Sequence, residues 1–128
     1  ALKPQKISTS QSGFALMQPL LADLPHEEFW VVYLNNSHRV LGYECISKGG
    51  ITSTIADVRA IFSQALSRNA TALVLAHNHP SGRNEPSASD IALTKKMVEA
   101  GRIMDINVLD HLIIANHTYY SFADDGLI

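Results

Sequence analysis

The chain is short of cysteine, of surplus charge and of long apolar runs, and each shortage removes a class of protein. A single cysteine, Cys45, among 128 residues excludes an internal disulfide and favours a reducing compartment. No apolar run approaches the roughly 20 residues of a membrane span, and the N-terminus carries no signal-peptide pattern. Ten basic against twelve acidic residues give a formal charge of −2. Non-specific DNA affinity comes mainly from clustered Lys and Arg, so strong DNA binding by this domain alone is not expected. Lys95, Lys96 and Arg102 read instead as the solvated face of a helix. No repeat or low-complexity segment occurs. What remains is a chain of ordinary domain size, 46% hydrophobic and able to bury one core. These features predict a cytoplasmic protein with no membrane association.

The most informative stretch is His77-Asn78-His79-Pro80-Ser81-Gly82, with Asp90 following on. Before it, Thr71 to Ala76 is a short apolar run that reads as a buried strand. Side chains two apart on a strand share a face, so His77 and His79 project together if the strand persists. Pro80 stops it, and the polar stretch to Asn84 reads as a loop. Ser87 then opens a helix running to about Gly101, with Asp90, Leu93, Met97 and Ala100 on one stripe. A carboxylate on an apolar stripe needs a partner, and a metal ion is one. Three protein ligands are the complement of a catalytic zinc, which leaves its fourth position to water. The spacing Ser87-x-x-Asp90 equally fits a capping box at the helix start.

A hydrolytic metal site also needs a general base. Phe29 to Leu34 reads as a buried strand, Asn35 to His38 as a turn, and Arg39 to Ser47 as the returning strand. In that second strand Val40, Gly42, Glu44 and Ile46 share a face, and Cys45 lies on the other. Glu44 is either a strand glutamate at a solvated edge or a carboxylate aimed into the fold. Glu27 and Glu28 precede the first strand and read as solvated loop residues. Cys45 reads as packing.

Glu44, His77-x-His79, Ser87 and Asp90 together resemble the JAMM pattern of the JAB1/MPN/Mov34 metallopeptidases. Ala76 to Gly82, with Asp110-His111-Leu112-Ile113 later, resembles the bacterial RadC branch of that family. The resemblance implies an α/β fold, a three-layer mixed β-sheet flanked by helices of the JAB1/MPN, cytidine deaminase-like, kind. It implies that His77, His79 and Asp90 hold Zn²⁺, that Glu44 activates a metal-bound water, and that Ser87 helps stabilise the oxyanion. The reaction implied is hydrolysis of an amide or peptide bond in an unidentified peptide or protein substrate. The alternative is a non-catalytic, partner-binding or DNA-repair-associated MPN scaffold. The sequence lacks the Pro-Cys-x-x-Cys of zinc deaminases and the carboxylate cluster of two-metal phosphodiesterases. RadC proteins commonly carry an N-terminal helix-hairpin-helix region, for which the stretch before Gln11 is too short. The expected organisation is an N-terminal tail, residues 1–10, and one JAB1/MPN domain over 11–128.

The remaining elements follow from periodicity and caps. Ser12 is a plausible cap for a helix over Gly13 to Asp23, and Ser53 or Thr54 for one running to Arg68. The second presents Ile55, Val58, Ile61, Phe62, Ala65 and Leu66 as its apolar face. Ile106 to Leu109, Leu112 to Ala115 and Tyr119 to Phe122 read as strands. Asp110-His111 falls between two of them, where His111 is either a buried structural residue or one that orients a ligand. His26, His38 and His117 read as exposed loop and turn residues.

Overall fold

A computed structural model describes residues 5–49 and 56–128. Helix α1 spans Ser10–Leu21, strand β1 Glu28–Leu34, β2 Val40–Lys48, helix α2 Val58–Ser67, β3 Ala72–Asn78, α3 Ala88–Met104, β4 Asn107–Ala115 and β5 Thr118–Ser121. The strands form one mixed sheet in the order β2-β1-β3-β4-β5. Only β3 and β4 run parallel, joined through α3 as a βαβ crossover requires.

Alternation along the strands gives the sheet two apolar faces. Phe29, Val31, Tyr33, Leu73 and Leu75 pack under Ile61, Phe62 and Ala65 of α2 and Leu93 and Met97 of α3. Val32, Leu34, Val74, Ala76, Leu112 and Ile114 pack against Phe14, Met17 and Leu21 of α1. Both faces of β3 are buried along its whole length, as expected for a strand covered on both sides. The result is the three-layer α/β/α arrangement.

Several boundaries differ from the sequence expectation. Helix α1 starts at Ser10 because Thr9, not Ser12, is its cap; Ser12 supplies the reciprocal half of the capping box. Residues 5–7 are not a free tail. Lys6 bridges to Arg39, and Ile7 is buried in the core beneath α1. Helix α2 is capped by Asp57, whose side chain accepts from the Ala60 N–H; Ser53, Thr54 and Ile55 lie outside the described residues. Leu66, placed on the apolar face, is 54% exposed. Strand β4 runs unbroken through Asp110 and His111. A bulge makes this possible: Leu73 pairs with Val108 and Val74 with Asp110, so Leu109 is the extra residue. Val108 faces α3, and strict alternation from it would send His111 to the α1 side. The bulge returns His111 to the α3 side, opposite Leu75 and beside His77.

Candidate metal centre

Strand β3 ends in the only group of three metal-donor side chains found among the described residues, His77, His79 and Asp90. The chain delivers them in two moves. His77 is the sixth residue of β3, and His79 stays in the ladder because its N–H donates to the Ile114 carbonyl at 2.9 Å. Both rings therefore leave on one face, with centroids 4.7 Å apart. Pro80 and Ser81 then make a turn closed by the Gly82 N–H on the His79 carbonyl, 2.9 Å. Gly82 takes a φ of +84°, the left-handed region open to glycine. Helix α3 begins after Ser87 and turns Asp90 inward to 3% exposure.

Hydrogen bonds fix the proton on each imidazole. The Thr94 hydroxyl donates to the Asp90 carbonyl, 2.7 Å, so towards His111 Nδ1, 2.6 Å away, it can only accept. His111 Nδ1 therefore carries the hydrogen and its Nε2 is a lone pair. That lone pair accepts from His77 Nδ1–H at 2.7 Å. His77 Nε2 is left unprotonated. On the other ring, His79 Nδ1–H donates to the Arg83 carbonyl at 2.7 Å, which leaves His79 Nε2 unprotonated as well. Burial pushes the His111 pKa far below 6.5, so this relay ring is neutral.

Two lone pairs thus face each other at 2.9 Å, beside a carboxylate. His77 Nε2 lies 3.3 Å from Asp90 Oδ1, and His79 Nε2 3.4 Å from Oδ2. Ligands about 2.0–2.2 Å from a tetrahedral zinc stand about 3.3–3.5 Å apart, so the two mixed separations already match a shared ion. The electrostatics ask for a cation there. The Asp90 carboxylate beside it raises the His79 pKa, against the opposing effect of burial. Burial alone would raise Asp90, but the His77 and His79 rings beside it outweigh that effect and hold the carboxyl well below its usual range.

Ser87 and Asp90 also form the capping box. Ser87 Oγ accepts from the Asp90 N–H at 3.1 Å, and Asp90 Oδ2 accepts from the Ser87 N–H at 2.8 Å. Cap and metal donor are therefore one residue.

Glu44 is not brought to this centre, which corrects its placement. It lies opposite Val31, which lies opposite Leu75, two strands from His77 and further along the sheet. Its Oε1 accepts from the buried Tyr33 hydroxyl at 2.6 Å, and Oε2 is 3.8 Å from Arg68, whose guanidinium covers the Tyr33 ring. Glu28 is not solvated. It opens β1 at 6% exposure, on the reverse face from the histidines, and accepts from Trp30 Nε1 at 3.0 Å. Cys45 points at this same carboxylate, and burial followed by the Glu28 charge raises its thiol pKa. Glu27 is the carboxylate on the metal side. The β1–β3 register ends at Phe29 opposite His77, and past it the Asn78 side chain holds the Glu28 N–H, which leads Glu27 towards the His79 end of β3. The Glu27 charge contributes to the raised His79 pKa.

A three-layer α/β sandwich with His-x-His at a strand end and an aspartate from the next helix defines a JAB-type domain. A family model described as a RadC-like JAB domain matches residues 7–127, and the chain belongs to that family. It is 52% identical to a UPF0758 protein of Flavobacterium johnsoniae over 126 residues, 98% of this chain and 55% of that one. It is 44% identical to a UPF0758 protein of Porphyromonas gingivalis, over 97% of this chain and 55% of that one. UPF0758 protein YfjY of Escherichia coli is 43% identical over 94% of this chain and 76% of its own. The chain thus spans about half the length of the first two relatives. Among the described residues no helix is long and apolar enough to cross a membrane.

Proposed function

We infer that this domain is a zinc-dependent hydrolase of amide or peptide bonds, with Glu27 in place of Glu44 as the residue that handles the proton. The observation that carries the reading is the convergence of two unprotonated Nε2 atoms on one carboxylate, at the 3.3 and 3.4 Å separations that suit ligands of one tetrahedral ion. His77, His79 and Asp90 would hold the ion. When bound, zinc supplies a water whose pKa lies near 7 and a Lewis acid for a carbonyl oxygen. The Glu27 carboxylate, whose charge reaches His79, accepts the proton of the attacking water and returns it to the leaving nitrogen. The Ser87 hydroxyl accepts from the Asp90 N–H, which leaves its own hydrogen to donate to the developing oxyanion. The substrate class expected is a peptide or protein, since the charge is slightly negative and the cations Arg83 and Arg102 are paired with Glu85 and Glu99.

Metal analysis with turnover of a peptide library tests this, comparing the wild type with Glu27→Gln and Glu44→Gln. One zinc per chain is expected in all three, with turnover lost only in Glu27→Gln. Turnover by Glu27→Gln at the wild-type rate sinks the assignment. Metal bound with no turnover in any of the three moves the scaffold reading ahead.

A further inference from the structure

Asn78 sits between the two histidine donors with its side chain on the opposite face of β3. It is 2% exposed, and both polar atoms of its amide are hydrogen-bonded. Nδ2–H donates to the His26 carbonyl at 2.9 Å, and Oδ1 accepts from the Glu28 N–H at 2.7 Å. Both partners are backbone atoms flanking Glu27. The paired register of β1 with β3 ends at Phe29 opposite His77, so residues 26–28 lie beyond the ladder. Asn78 takes over where the ladder stops. The Glu27 carbonyl is held separately by the Gly49 N–H at 2.8 Å. On the reverse face the Glu28 carboxylate is fixed by His26 Nε2 at 2.7 Å and by Trp30. Residues 26 and 28 are thus pinned to one side, and residue 27 is turned to the other.

We propose that Asn78 is a positioning residue that sets the distance between the metal donors and Glu27. The proposal rests on the reading of Glu27 given above. Its logic is geometric. Asn78 is covalently between His77 and His79, so any shift of the end of β3 carries the donors and the Glu27 segment together. A general base must lie within about 2.6–3.2 Å of the proton it takes, and misplacement by about 1 Å can cost about 10²-fold in rate. A side chain grown from between the donors protects that distance better than a contact from elsewhere.

The test uses Co²⁺ as the probe ion. Visible absorption of the Co²⁺-loaded protein is followed against pH for the wild type, Glu27→Gln, Asn78→Ala and the double variant. A carboxylate disfavours a second negative charge beside it, so Glu27→Gln should lower the midpoint, by about 0.5 pH unit or more. Asn78→Ala should lower it in the same sense, and the double variant should go no further than Glu27→Gln alone. Co²⁺ stoichiometry should stay at one. A merely structural role would lower the melting temperature and leave the midpoint in place. An unmoved midpoint in Asn78→Ala while Glu27→Gln shifts, or shifts that add in the double variant, overturns the proposal alone. A Glu27→Gln midpoint equal to wild type overturns the reading of Glu27 and the proposal with it. If Asn78→Ala does not fold, Asn78→Ser serves in the same comparison. Amide exchange of wild-type Glu28 is an independent check: strong protection is expected, and exchange at the rate of a free amide overturns the clamp.

Discussion

His111 decides which nitrogen of His77 faces the other donors, and its effect should be measurable without any substrate. In His111→Phe the ring volume against Phe122 is kept, but nothing accepts the His77 Nδ1 hydrogen. Zinc affinity should fall about 10–100-fold, read by competition with a chelator; an unchanged affinity would refute the relay. Affinity should also fall with acidity in a defined direction. The His79 pKa is raised by Asp90, so protons begin to compete for Nε2 above the ordinary 6.5, and binding weakens progressively as pH drops through that raised value. A flat affinity between pH 8 and pH 5 would contradict this. Glu44 belongs to a different account. Glu44→Leu leaves the buried Tyr33 hydroxyl without its acceptor and should cost about 1–3 kcal/mol of stability while zinc affinity stays at the wild-type value. A joint loss of both would return Glu44 to the centre.

At the scale of elements, α3 and the bend after it carry the tightest constraint. A Cβ on Gly101 would lie 2.2 Å from the Ile106 carbonyl oxygen, a backbone atom that the Ile106 N–H bond to Gly101 O holds in place. Gly101→Ala should therefore destabilise the fold by about 1–3 kcal/mol, seen as a lower urea midpoint at unchanged slope. The same elements show what the sequence made legible. Strand β3 is plain as a continuous apolar run, and α3 because its apolar stripe keeps one period. His77, His79 and Asp90 could be grouped because they lie in or next to those two elements. The continuity of β4 was hidden, since Asp110-His111 interrupts an apolar run and the bulge at Leu109 leaves no compositional mark. The cap of α1 slid by three residues because Thr9 and Ser12 are both good caps and serve in one box. Glu27 was set aside because its side follows from the β1–β3 register, a pairing of segments far apart in sequence.

The described residues form a sheet with a separate apolar core on each face, and the donors sit at the C-terminal end of the central strand β3, where β4 and α3 meet it. The chain's charge stays slightly negative, and we propose that the domain reads protein and not duplex DNA. A salt titration of DNA binding should give a logarithmic slope near zero, since each phosphate contact would contribute about −0.9. A steep slope with affinity tighter than micromolar would show that Lys95 and Lys96 act with Arg83 and Arg102 after all. The double duty of Asp90 bears on how relatives are to be compared. On the hydrolase reading, a descendant that abandoned the reaction would still use the carboxylate at 90 in the cap of α3, so drift would spare Asp90 after its metal role had lapsed. His79, whose ring reaches the surface, answers to fewer masters. Its replacement, and not the survival of Asp90, is the mark by which a retired member of the lineage would be told from a working one.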